Sequence, residues 1–172
     1  KLLSLQRKLT ENSESFVLFK ILIAFFDYKL LNYQEAIHNV KEVKNSFPKE
    51  KKFPFQSIFY TLLGINYRSL GDTQQSLEAF QRAFEVDDVE AKKLNGESYM
   101  KSLRLYHVSE LYGEMEAYEE MLKKQLELLK FSLQTGNIDI ENRSLNGIGR
   151  AYFGLKNYEE ALNYLLDADK KS

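Results

Sequence analysis

An all-α solenoid of antiparallel helix pairs stacked in a row is the fold class this 172-residue chain predicts. Three observations lead there. The element YEEML at Tyr118 to Leu122 returns as YEEAL at Tyr158 to Leu162, with relatives upstream in YQEAI, Tyr33 to Ile37, and TQQSL, Thr73 to Leu77. These four start 40, 45 and 40 residues apart, and each such period has room for two helices and their turns. Apolar side chains recur at spacings of three and four in every segment, and no segment carries a strand signal. Finally, the two prolines, Pro48 and Pro54, bracket the single stretch PKEKKFP and leave the remainder free to be helical.

Taken in order, residues 1–14 are expected to be the end of a preceding helix pair or a cap, within a single repeat domain that continues to residue 172. Repeats follow at 15–46, 55–87, 97–135 and 140–170. Breaks fall near Ser46 to Pro54, Gly71-Asp72, Asp87 to Gly96, Gly136-Asn137 and Leu155 to Asn157, giving about eight helices after a short N-terminal one. A first residue Lys1 rather than Met, and a last helix that stops at DADKKS, suggest a piece of a larger chain. The most apolar run, Phe16 to Leu31, is shorter than the roughly twenty residues a bilayer requires and carries Lys20, Asp27 and Lys29, so it reads as a buried helix covered on more than one side.

Each repeat carries the same pattern of sizes. Nine residues before each YEEAL-like element stands a small side chain, Ala24, Gly64, Ser109 or Gly149, and six before it stand Asp27, Tyr67, Tyr112 and Tyr152. Helices approach most closely where the contact residue is tiny, and a tyrosine one turn on fills the space beside that contact. On the second helix of each pair the inward stripe is expected to be Ala36, Val40 and Val43; Ser76, Phe80 and Ala83; Met121, Gln125 and Leu128; and Ala161, Leu165 and Ala168.

Composition excludes several functions. Twenty-four basic and 25 acidic side chains leave a net charge of −1, too balanced for the broad positive field that nonspecific nucleic-acid or membrane binding uses. The lysines Lys49, Lys51 and Lys52 read as a solvated loop. With no cysteine there is no disulfide, thiol nucleophile or thiolate metal site, and the same absence suits a reducing cytoplasm or an oxidising exterior. The two histidines, His38 and His107, lack metal-ligand spacing and are expected on helix surfaces or in packing. Neither a glycine-rich phosphate loop nor a nucleophile elbow occurs, so no catalytic residue, cofactor or metal is expected. The acidic pairs Glu119-Glu120 and Glu159-Glu160 complement the dipole at the starts of their helices.

The stretch LGINYRSLGDTQQSLEAFQRAF, Leu63 to Phe84, with Gly64, Tyr67, Gly71, Phe80 and Ala83, resembles the tetratricopeptide repeat family, and IGRAYFGLKNYEEALNYLLDA, Ile148 to Ala168, follows it closely. The pair around Tyr112 departs from the pattern at Met121 and Gln125, and that around Tyr33 has Asp27 where a tyrosine is expected. The period of about forty exceeds the family's usual thirty-four and is similar to the longer-helix versions of bacterial regulators. The resemblance covers roughly residues 15 to 170 and implies a right-handed superhelix that holds a protein or peptide segment in its concave groove.

Counting from the small contact residues, the groove is expected to be lined by Leu18, Ile21 and Phe25; Ile58, Thr61 and Ile65; Leu103, Tyr106 and Glu110; and Arg143, Asn146 and Arg150. The last three share one helical face with no carboxylate among them, a donor strip suited to a carboxylate, a phosphate or a peptide backbone. Arg143, Asn146, Arg150, Tyr106, Glu110, Ile65 and Thr61 are therefore the candidate binding residues. The competing reading solvates the arginines or pairs them with Glu141, Glu159 or Glu160, and packs Leu18, Ile21 and Phe25 under a Lys1 to Leu9 helix.

Function follows as a non-catalytic binding scaffold, the interaction or sensory part of a larger bacterial signalling or transcription regulator. An alternative implied by the resemblance is a phosphatase-type signalling protein that sets a glutamine beside a phospho-aspartate of a response regulator, for which Gln74, Gln75, Gln125 and Gln134 are the candidates. A third is the extracytoplasmic sensor segment of a membrane-bound kinase or regulator. Ligand, oligomeric state and compartment have no signature in these residues.

Overall fold

A computed structural model describes residues 13–47, 53–86 and 97–171. The expected Lys1 to Leu9 helix, the lysines Lys49, Lys51 and Lys52, and the break at Asp87 to Gly96 lie outside the described residues. Among those described, eight helices occur and no strand: α1 Glu14–Lys29, α2 Tyr33–Asn45, α3 Gln56–Ser69, α4 Thr73–Glu85, α5 Glu97–Glu114, α6 Tyr118–Thr135, α7 Ile138–Gly154 and α8 Tyr158–Lys170. They fall in two compact units, Lys1–Met100 and Lys101–Ser172. Among the described residues no helix is long and apolar enough to cross a membrane.

Each helix pair is closed by the same turn. The N–H groups of Asn32, Asp72, Ala117 and Asn157 donate to the carbonyls of Asp27, Tyr67, Tyr112 and Tyr152 at 2.8, 2.9, 2.8 and 2.9 Å. One residue earlier, Leu31, Gly71, Glu116 and Lys156 donate to Tyr28, Arg68, Gly113 and Phe153. This paired closure satisfies two of the carbonyls that a helix C-terminus leaves open, and it requires a left-handed residue in the turn. Leu31, Gly71, Glu116 and Lys156 fill that place with φ of 64°, 78°, 58° and 62°. Their spacing is the 40, 45, 40 of the sequence repeat, so the period belongs to the backbone as well as to the side chains. The next helix is then started by a side-chain cap where one is present: Asp72 accepts from the Gln75 N–H and Asn157 from that of Glu160.

In unit 1, α1 packs on α2, α2 on α3 and α3 on α4. The small contact residues stand where the sizes predict. Ala24 is fully buried, and a Cβ added to Gly64 would lie 2.8 Å from the Phe80 ring. The approach is close enough for the Ser76 hydroxyl on α4 to donate to the Gly64 carbonyl at 2.7 Å. The expected inward stripes of α2 and α4 are buried throughout. What patterning did not anticipate is a polar network at α1 and α2: the Lys20 ammonium, 4% exposed, donates to Asn39 at 3.1 Å and to Glu42, while Asn39 donates to Asp27 at 3.0 Å. Asp27 holds the tyrosine position of this repeat and anchors Asn39 instead of filling space.

In unit 2, α6 packs on α7 and α7 on α8. A Cβ on Gly149 would lie 2.6 Å from Leu165 and 3.2 Å from the Ala161 carbonyl. Ser109 is fully buried and its hydroxyl lies 2.7 Å from the Gln125 Nε2 donor. Gln125 also fills the notch over Gly147, whose added Cβ would lie 2.2 Å from its amide carbon. The inward stripes of α6 and α8 are buried except for Leu165, which is 36% exposed. On α8, Tyr158, Leu162 and Leu166 are exposed as well. Tyr152 stacks on Tyr164 at 5.6 Å, and burial pushes the Tyr164 hydroxyl above its ordinary pKa.

Candidate functional site

The expected groove residues separate into two groups. In unit 1, Thr61 and Ile65 are 0% and 1% exposed, and the Thr61 hydroxyl donates to the Ser57 carbonyl at 2.6 Å. Neither offers surface to a ligand, which corrects the expectation for both; on this helix the face counted as open is covered. Ile58 and Ile21 are buried too, while Leu18 and Phe25 are half-buried.

In unit 2 five of the seven candidates come together, where α5 and α7 present neighbouring faces. Arg143 is exposed and its guanidinium lies 6.0 Å from the centre of the Tyr106 ring, a cation–π contact that does not use its N–H donors. Among the described residues no carboxylate pairs with Arg143. One turn on, Asn146 is exposed and donates to the Asn142 carbonyl and side-chain oxygen at 3.1 and 2.8 Å. A further turn on, Arg150 donates through one nitrogen to both carboxylate oxygens of Glu110, at 2.9 and 3.1 Å.

That last contact corrects both sequence readings of Arg150. The strip on α7 has no acid of its own, but α5 supplies one. The partner is Glu110, not Glu141, Glu159 or Glu160, because residues forty apart hold equivalent places on consecutive first helices. Glu141 pairs instead with Lys171 at 2.5 Å.

Below Arg150 a cavity of about 280 Å³ opens, lined by Gly113, Tyr118, Met121, Arg150, Phe153, Gly154 and Leu165. Phe153, 64% exposed, continues the stripe Arg143, Asn146, Arg150 by one more step of three. Sequence reasoning passed over it, although its spacing from Arg150 was the available signal. The wall thus grades from a stacked, unneutralised guanidinium through an amide to a neutralised guanidinium at the mouth of an apolar cavity.

The glutamines proposed for phosphatase chemistry are placed otherwise. Gln125 is fully buried, so it cannot reach a phospho-aspartate on another molecule; it was the degenerate stripe position that made it conspicuous. Gln74 donates to Glu78 at 3.2 Å and Gln75 to Asp72 at 2.6 Å, both at the start of α4. Gln134 is exposed near the end of α6. His38 is exposed, with Nε2 3.9 Å from Glu42, and His107 is buried against Tyr106. Among the described residues no cluster of three potential metal ligands occurs.

Repeating antiparallel helix pairs with small-residue contacts and a common turn make this a helical-repeat scaffold of the solenoid class. Two stretches, residues 58–89 and 143–170, match the tetratricopeptide repeat family. Among solved structures, it is similar to MamA protein, with a TM-score of 0.66 at 18% identity over 90% of this chain and 72% of that one. It is also similar to the apo form of RapI, with a TM-score of 0.75 at 17% identity over 90% of this chain. It spans 55% of that second protein's length. No curated protein matches this chain. Such repeats serve as protein-interaction scaffolds, since stacked modules present extended binding surfaces.

Proposed function

We propose that the α5–α7 wall of unit 2 binds an extended peptide or protein segment, with Arg143 receiving a carboxylate and the cavity below Arg150 receiving an apolar side chain. Support comes chiefly from Arg143: an exposed guanidinium, oriented by Tyr106 and without an acid of its own. Asn146 lies between the two ends and suits a ligand's backbone. Glu110 occupies Arg150, so Arg143 supplies more of the anion affinity than Arg150 does. Ile65 and Thr61 have no part in this site. Placement within a larger bacterial signalling or transcription regulator rests on the sequence resemblance.

The test begins with an array of ten-residue peptides screened against the chain, the strongest binder being remeasured by fluorescence anisotropy. Reversing both charges, Arg143→Glu with Arg150→Glu, is expected to weaken that peptide at least tenfold, about 1.4 kcal/mol, with helicity by circular dichroism unchanged. Glu110→Gln, which releases Arg150, is expected to strengthen it. Equal affinity of the double variant removes the site.

A further inference from the structure

A second cavity lies wholly within unit 1, on the other side of α3 from Thr61 and Ile65. Its floor is Tyr60, Leu63 and Tyr67, which share one face of α3, roughly 150° round the helix from those two residues. Phe59 and Ala79 complete the apolar lining, and the volume is about 240 Å³. Its rim belongs to the two flanking second helices: Lys41 and Lys44 from α2, Gln75, Glu78 and Arg82 from α4.

The charge around this opening is concentrated. Three cations line it against the single acid Glu78, in a chain whose net charge is −1. Lys41 sits over the Tyr67 ring at 5.3 Å and Arg82 over the Tyr60 ring at 5.9 Å. Among the described residues neither these two nor Lys44 is paired with a carboxylate, and all three are exposed. Cation–π contacts position an ammonium or guanidinium without using its N–H donors, so the rim is preset and unneutralised. A cavity of this volume is below the range typical of small-molecule sites, about 300–1,000 Å³, and has room for one aromatic side chain.

We propose that the cleft between α2 and α4 is a second peptide site, which takes an aromatic side chain of an acidic segment onto Tyr60, Leu63 and Tyr67 while Lys41, Lys44 and Arg82 bind the flanking carboxylates. Charge complementarity selects the acidic segment, and the ring-lined floor selects the aromatic residue. The site is independent of the wall on unit 2. It uses the opposite side of its first helix and shares no residue with that wall.

The experiment uses the whole chain and a fluorescein-labelled peptide, Asp-Glu-Asp-Phe-Glu-Asp, read by anisotropy at low salt. Wild type is expected to bind it. Lys41→Glu with Arg82→Glu is expected to weaken binding about tenfold or more, and replacing the probe's Phe by Ala about fivefold. Lys130→Glu with Lys170→Glu, the same change of charge at exposed positions outside both sites, is expected to leave this probe's affinity unchanged. The proposal is overturned by no anisotropy change up to about millimolar protein, or by equal binding of the Lys41/Arg82 variant with its helicity intact. It is equally overturned if a ten-residue oligothymidine binds more tightly than the peptide, which would make the cleft a single-strand platform. Loss of the probe in the Arg143/Arg150 variant alone would place the peptide on unit 2, ending this proposal and leaving that of the α5–α7 wall intact.

Discussion

Replacing the three non-glycine turn residues by glycine is predicted to stabilise the protein, against the usual expectation that glycine loosens a fold. Leu31, Glu116 and Lys156 are held at φ of 64°, 58° and 62°, where a side chain's Cβ crowds the following carbonyl at a cost of roughly 1–2 kcal/mol. Glycine removes that cost but gives the unfolded chain more freedom, worth about 0.4–1 kcal/mol in the opposite direction. The side chains contribute little to offset the gain, since all three residues are exposed and Leu31 is 70% exposed. The net is about 1 kcal/mol of stabilisation per site, or roughly 2–4 °C in melting temperature for a chain of this size. Gly71→Ala, made at the fourth equivalent turn with nothing within 4 Å of the added Cβ, should lose about 1 kcal/mol. Thermal and urea unfolding of each single variant measures these values. Glycine variants that melt at or below wild type, or a Gly71→Ala substitution without effect, would refute the account of the four turns as one repeated strained closure.

Two further substitutions test the small-residue contacts and the buried amide. Gly64→Ala should cost about 1–3 kcal/mol in urea unfolding, because its Cβ meets the fully buried Phe80 ring; Gly149→Ala should cost a comparable amount, because the partly exposed Leu165 can swing away but the Ala161 carbonyl, 3.2 Å from the added Cβ, is backbone. Ser109→Ala should destabilise by about 1–3 kcal/mol, leaving the Gln125 amide with no partner for Nε2 as well as Oε1. Gln125→Met should be neutral or stabilising, because it removes both polar atoms while Ser109 keeps its 2.7 Å bond to the Tyr106 carbonyl.

The repeat was legible in the sequence because size and spacing are local properties. Gly64 and Gly149 announce close crossings by lacking a side chain, and the structure sets Phe80 and Leu165 against them. Turns were legible in part: Gly71 marks its own and the break at Leu155 to Asn157 contains Lys156, whereas Leu31 and Glu116 occupy the same backbone conformation without a residue that signals it. The site was legible in part. Helical periodicity put Arg143, Asn146 and Arg150 on one face, but it could not show that Glu110 reaches across from α5, since that contact joins residues forty apart. Nor could it find the Lys20–Asn39–Asp27 network, in which a departure from the tyrosine pattern at one position is answered by polar residues on the neighbouring helix. Thr61 and Ile65 show the opposite failure: a correct helical phase says which way a side chain points, not whether another part of the chain covers it.

The ion pair of Glu110 and Arg150 has a consequence for assembly. Both occupy the same station in adjoining modules, so an authentic neighbour offers the opposite sign, whereas a module stacked on a duplicate of itself would set acid against acid or guanidinium against guanidinium. In a chain made of near-copies, where hydrophobic contacts alone would accept almost any order, this alternation lets the third and fourth modules distinguish one another from their own likeness, a device the first two lack because Phe25 and Ile65 hold their stations.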